Sequence, residues 1–134
     1  IYVSPALVGF FITGNTNISW PAVLAALIWA FGMQTYSAVP DIIADRKAGV
    51  NTLATVLGEK KALCFCFAAY LISASIGYLY IGFISIVFIF IYCAIVLLSI
   101  YNFSKLFKYY TYFPLINVST GAVLFFYLFF KEIL

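Results

Sequence analysis

The chain has 134 residues, of which 66% are hydrophobic and 8% charged, with a mean hydropathy of +1.14, whereas a soluble domain is closer to half apolar. With 7 Lys and Arg, 4 Asp and Glu and no His, it has too few charges to cover a water-facing surface, and it excludes Ser-His-Asp triads, His-ligated metals and imidazole proton shuttles. The net charge of +3 is gathered in short connections between apolar runs, where it acts as a membrane-orientation signal and not as a nucleic-acid surface.

The first apolar run, Ile1 to Thr13, reaches about 20 Å as a helix against a hydrocarbon core of about 30 Å. No positively charged stretch precedes it, so it does not read as a secretory signal. It is expected to be a truncated span whose N-terminal part lies outside this sequence. After the polar turn Gly14-Asn15-Thr16-Asn17, the run from Trp20 to Val39 is long enough to cross, with Pro21 in its first turn and Trp20 at the interface. Residues 41–58 are the most polar stretch, with Asp41, Asp45, Arg46, Lys47 and Asn51, and are expected to be a loop or short surface helices outside the hydrocarbon. Lys61 to Gly82 and Phe83 to Tyr101 are two further spans joined tightly at Gly82. Asn102 to Phe113, with Lys105 and Lys108, is expected at the lipid headgroups, and Pro114 to Phe130 is the last span, ended by Lys131 and Glu132.

The expected fold is therefore all-α, a polytopic transmembrane helical bundle of four complete spans and one truncated span. Arg46, Lys47, Lys60, Lys61, Lys105 and Lys108 share one side, which makes it cytoplasmic, and Lys131 alone dissents. Cys64, Cys66 and Cys93 sit in apolar runs and read as small hydrophobes; two-residue spacing turns Cys64 and Cys66 to different faces. Ala69, Ser73 and Gly77 make a ridge of small residues for close helix approach, and Asn117, Thr120 and Gly121 a similar notch.

Gln34, Ser37, Asp41 and Asp45 follow one another at spacings of three, four and four, which places them on one helical face if the span continues into the loop. Pro40 removes the hydrogen bond to the Tyr36 carbonyl, so a kink or break is expected there. Two carboxylates one turn apart repel unless a cation lies between them. Mg2+ suits such a pair, being typically held by one or two carboxylates plus substrate phosphates. Arg46 and Lys47 follow at once and could neutralise a diphosphate. A solvated loop with ordinary Asp–Arg pairing is the alternative on this spacing alone.

The string Tyr36-Ser-Ala-Val-Pro-Asp41-Ile-Ile-Ala-Asp45-Arg-Lys-Ala-Gly49-Val-Asn-Thr52-Leu-Ala-Thr-Val-Leu-Gly58 resembles the second aspartate-rich loop of the UbiA superfamily of intramembrane prenyltransferases: D-x-x-x-D, a basic residue, Gly, Thr-Leu and a closing Leu-Gly. The resemblance implies a nine-helix membrane fold with this loop after the sixth helix, so that residues 1–134 are the C-terminal part of one domain and 41–58 its cytoplasmic aspartate-rich loop. It implies transfer of a polyprenyl group from its diphosphate to a lipophilic acceptor, with Asp41 and Asp45 as catalytic Mg2+ ligands and an allylic carbocation left by loss of pyrophosphate; Arg46 and Lys47 are expected on the diphosphate, and Tyr36, one turn from the kink and close to the stripe, is expected with Gln34 to face the carbocation. Ser-Ala-Val-Pro and Ala-Thr-Val-Leu-Gly are most similar to the branch that prenylates carotenoids such as lycopene; a quinone-precursor ring is the other acceptor class. The family's first motif, of N-D-x-x-D type, has no counterpart in these residues, so this chain alone is expected to be inactive. An ion-coupled transporter fragment is the competing class, although Asp41 and Asp45 lie at a helix exit and not at mid-membrane. A phospholipid-synthesising phosphotransferase lacks support, because its Asp-Gly motif is missing.

Overall fold

The computed structural model describes residues 3–12, 14 and 17–133, but not the side chains of residues 6 and 131–133. Ile1, Tyr2 and Thr13 of the expected first run, Asn15 and Thr16 of the expected polar turn, and the side chains of Lys131 and Glu132 lie outside the described residues. Among those described there are helices and turns and no strand. In chain order the helices are α1 (Ser4–Ile12), α2 (Trp20–Ala38), α3 (Ile42–Ala48), α4 (Leu53–Leu57), α5 (Glu59–Ile81), α6 (Phe83–Tyr101) and α7 (Leu106–Ile133), with a 3-10 turn over Phe103–Lys105 before α7.

Among the described residues three stretches are long and apolar enough to cross a membrane: Glu59–Ile81, Phe83–Tyr101 and Phe103–Phe130. A fourth forms if α2 and α3 are counted as one broken span, bent by 80°. The expected break falls at Pro40. With no N–H at Pro40, the Tyr36 carbonyl instead accepts the Val39 N–H at 3.2 Å, and Asp41 and Ile42 reach back three residues to Ala38 and Val39. Contacts of that spacing tighten and end a helix. Val39 and Ile42 are fully buried on either side of the bend, which pins both arms to the core.

α5 and α6 turn about Gly82 alone, at φ 57° and ψ −135°, a backbone conformation that a Cβ would strain. The polar connection is two short helices, as one of the two expected forms had it. The last span departs from expectation. Instead of starting at Pro114 after an interfacial segment, α7 is helical from Leu106 through Pro114. The first turns are held by packing: Leu106 and Phe113 are buried and Tyr109 and Tyr110 lie against the core, which outweighs the hydrogen bond lost at proline. Lys105 and Lys108 stay exposed, as headgroup anchors require.

The core lies where α2, α5, α6 and α7 meet, around Met33, Tyr36, Cys66, Tyr70, Tyr92, Val96 and Phe113. α2 and α5 pack most closely. A Cβ at Gly32 would stand 3.0 Å from Tyr70 Cε1 and 3.2 Å from Ala69 Cβ, and Ser73 donates to the Ala25 carbonyl at 2.8 Å. Two members of the small-residue ridge thus face α2, while Gly77 faces Ser85 of α6. Cys66 and Cys93 are buried, Cys64 is exposed, and all three are free thiols.

Candidate functional site

The bend after α2 sets the polar connection at a sharp angle to the span. Asp41 sits in the corner at φ −96°, ψ 0° as the residue capping α3, yet its side chain makes no cap hydrogen bond. Aspartate at that position ordinarily accepts from the first free N–H groups of the helix. Here the Asp45 N–H goes to the Asp41 backbone carbonyl at 2.8 Å. Asp41 is exposed and Asp45 half-buried one turn later, so the two share a face of α3. Neither carboxylate has a hydrogen-bond or ion-pair partner among the described residues. The Asp–Arg pairing that would make this an ordinary loop does not form.

Arg46 turns the other way. Its Nη2 donates to the Thr55 carbonyl at 2.9 Å, one of the carbonyls left open at the C-terminal end of α4. Thr52 and Thr55 brace that short helix by a reciprocal cap: Thr55 N–H donates to Thr52 Oγ1 at 3.1 Å and Thr52 N–H to Thr55 Oγ1 at 2.8 Å. The signal for this brace was the Thr52-x-x-Thr55 spacing, a relative of the capping-box pattern, which the sequence reading passed over. Gly49, at φ 70°, ends α3, and the Val50 N–H closes back onto the Asp45 carbonyl at 2.9 Å. Lys47 is exposed.

The one-face stripe of Gln34, Ser37, Asp41 and Asp45 does not survive the 80° bend. Gln34 and Ser37 stay together on α2, with Ser37 Oγ donating to the Gln34 carbonyl at 2.9 Å, while Asp41 caps α3 and Asp45 lies within it. Gln34 is exposed. Tyr36 is fully buried, its ring against Phe113 at 4.7 Å between centroids and its hydroxyl 2.9 Å from Ser99 Oγ.

Farther up α2 an apolar cavity of about 370 Å³ opens between α2, α5, α6 and α7, lined by Ala25, Trp29, Tyr70, Tyr92, Asn117 and Gly121 among others. Its size is that of a small-molecule site. On its wall the Tyr92 hydroxyl contacts Asn117 Oδ1 at 2.8 Å and Thr120 Oγ1 at 2.9 Å. From Trp29 to the end of α2 is about 14 Å along the helix axis.

No group of three or more Cys, Asp or Glu able to hold a metal occurs among the described residues. The pair Asp41 and Asp45 supplies two oxygen ligands without competing partners, which fits a Mg2+ whose remaining ligands are water and substrate phosphate.

Comparison with known proteins places the chain. A model of the UbiA prenyltransferase family matches residues 1–130. The chain belongs to the UbiA prenyltransferase family. It is 42% identical over 76 residues to the lycopene elongase/hydratase of Halobacterium salinarum, covering 57% of this chain and 28% of that protein. It is 39% identical over 74 residues to the lycopene elongase/hydratase of Haloferax volcanii, covering 55% and 25%. A carotenoid biosynthesis protein of Dietzia, the C(50) beta-cyclic carotenoids biosynthesis protein LbtBC, is 39% identical over 71 residues, covering 52% and 16%. The alignments thus span 28% or less of the length of these curated relatives. No solved structure matches the chain. The helical architecture and the apolar spans agree with an integral membrane member of the family, and the transporter and phosphotransferase alternatives give way to it.

Proposed function

We propose that this chain forms the C-terminal part of a UbiA-type domain that transfers a polyprenyl group from its diphosphate to a lipophilic acceptor, and that the acceptor is a carotenoid. The observation that carries the reading is the pair of carboxylates, Asp41 and Asp45, without partners among the described residues, held at the 80° corner between α2 and α3. The names of the aligned relatives support the carotenoid branch over a quinone-precursor ring.

In this reading Asp41 and Asp45 hold Mg2+ against the diphosphate. The bound ion offsets charge that develops on the leaving oxygens. Lys47, exposed in the last turn of α3, supplies a cation to the same diphosphate. Gln34 lies exposed on α2 before the bend and faces the reacting end of the chain. Tyr36 supports that wall from beneath, because its ring and hydroxyl are both engaged in the core. The isoprenoid tail runs along α2 toward the apolar cavity, about 14 Å away by helix rise. The complementary aspartate motif is supplied by sequence outside these residues, so the isolated 134-residue chain is inactive. The polar connection faces the cytoplasm, consistent with its Lys and Arg content.

The test is Asp41→Asn and Asp45→Asn in the complete enzyme. Each replaces an anionic oxygen ligand by a neutral isostere and leaves no protein partner unpaired, since the carboxylates have none among the described residues. Turnover should fall roughly a thousandfold or more, because each 1.36 kcal/mol of transition-state stabilisation is a factor of ten. Retention of more than about a tenth of the activity by both variants sinks the assignment.

A further inference from the structure

We infer that Arg46 is a positioning residue, a strut that holds the carboxylate-bearing helix α3 on α4 and so sets the direction in which Asp41 and Asp45 point; this rests on the reading of those carboxylates as metal ligands. The argument starts from the size of α3. A helix of seven residues does not persist in water by its own hydrogen bonds, since helices shorter than about twelve residues are marginal even with favourable sequences. Something must hold it at its angle to α2.

Ile42, fully buried at the start of α3, is one anchor. A single anchor leaves rotation about the helix axis open, and that rotation decides where the carboxylates face. Arg46 supplies the second. It sits one residue after Asp45, about 100° around the helix, so its stem leaves on a different face from the carboxylate pair. Its Nη2 meets the Thr55 carbonyl at 2.9 Å, and the same atom lies 3.9 Å from where a Cβ on Gly58 would stand. The guanidinium thus lies at the C-terminal end of α4, where it satisfies a carbonyl left open by the helix end. The Thr52–Thr55 cap holds that carbonyl in place. α4 is anchored in turn through buried Ala54 and through Gly58, whose carbonyl begins α5 by accepting the Ala62 N–H at 2.9 Å. The chain of contacts runs from the span α5 through α4 and Arg46 to the carboxylate face, without metal or substrate in it.

The contact is one donor on one carbonyl, a role that a lysine ammonium at a helix C-terminus can also fill, so the decisive variant is the neutral Arg46→Gln.

The experiment measures amide hydrogen exchange over residues 42–57 in the complete enzyme in nanodiscs, with metal removed and no substrate added. Arg46→Gln should speed exchange there by about tenfold or more, the loss of a charge-assisted hydrogen bond. Thr52→Ala, which removes no charge, should do the same by loosening the Thr55 carbonyl, and should add little to Arg46→Gln when combined, since both break one strut. In turnover, the Mg2+ concentration for half-maximal rate should rise in both single variants, with KM for the prenyl diphosphate unchanged at saturating Mg2+. Wild-type exchange in Arg46→Gln, or a rise confined to its KM, overturns the strut and makes Arg46 a diphosphate ligand. Faster exchange with unaltered Mg2+ dependence also overturns it as a positioning residue. Because exchange is read without metal, a failed Asp41 and Asp45 assignment leaves that result standing, and the two failures are told apart.

Discussion

In the bundle interior the polar side chains close on protein: Tyr36 on Ser99, Tyr92 on Asn117 and Thr120, Ser73 on the Ala25 carbonyl and Ser85 on the Ala74 carbonyl. In the connection between α2 and α5 the backbone, the threonines and Arg46 also bond to the protein, but Asp41 and Asp45 are left without partners among the described residues. Both regions hold polar groups beside an apolar membrane protein core. The difference is that the interior groups cost free energy if left open, whereas carboxylates on an exposed polar connection can stay hydrated until a ligand arrives. Partnered groups hold the fold, and open ones are where binding is to be sought.

The largest effect that can break this contrast is the exchange of a carboxylate against that of a hydroxyl. Asp41→Asn or Asp45→Asn should remove activity with the unfolding transition in mixed micelles unmoved. Tyr36→Phe should do the reverse: Ser99 keeps its bond to the Ile95 carbonyl, so stability should fall by about 1 kcal/mol while turnover stays within about tenfold of wild type. A larger loss of turnover with unchanged stability returns Tyr36 to the reacting cation. Gly32→Leu tests the packing side of the contrast. With Tyr70 and Ala69 already 3.0 and 3.2 Å from a Cβ there, the variant should lose about 1 to 3 kcal/mol of stability, and activity only in proportion to the unfolded fraction; a fully folded, inactive Gly32→Leu protein would place chemistry at the α2–α5 seam.

The smallest effect sharpens the rule through its exception. The Tyr70 hydroxyl is buried with no partner, so Tyr70→Phe should leave stability unchanged or raise it by about 1 kcal/mol. A loss of similar size shows that the hydroxyl is bonded after all. Orientation can be read without any change in energy. In a background lacking the native thiols, single cysteines at Asn51 and Lys105 should react with a membrane-impermeant reagent only once the cytoplasmic face is opened. Reaction in intact cells reverses the topology.

Much of this was legible in the chain. The charged residues are few and clustered, so Asp41 to Gly58 stood out as the polar connection, Pro40 marked the break, and Gly82 the tight turn. The start of α7 was not legible, because Pro114 is a strong local signal for a boundary and only the burial of Leu106 and Phe113 overrides it. Arg46 was expected on the diphosphate, and its bond to a backbone carbonyl nine residues on was not legible, because no side-chain pattern announces a carbonyl. Tyr36 was expected to face the cation because it lies one turn from the kink and close to the stripe, yet it is buried while Gln34 is exposed.

Composition and the order of charges determined by themselves that this is an all-helical membrane chain with one polar corner carrying two carboxylates, because burying charge in hydrocarbon is expensive enough to leave few arrangements. Which face of each span looks inward was decided only by the tertiary structure. In water, apolar and polar faces separate and periodicity reveals the core. In a bilayer, lipid and protein interior are equally apolar, so the pattern of Leu, Ile, Phe and Val carries little information about direction. Close packing at Gly32 and hydrogen bonds such as those of Tyr36 and Tyr92 settle it instead.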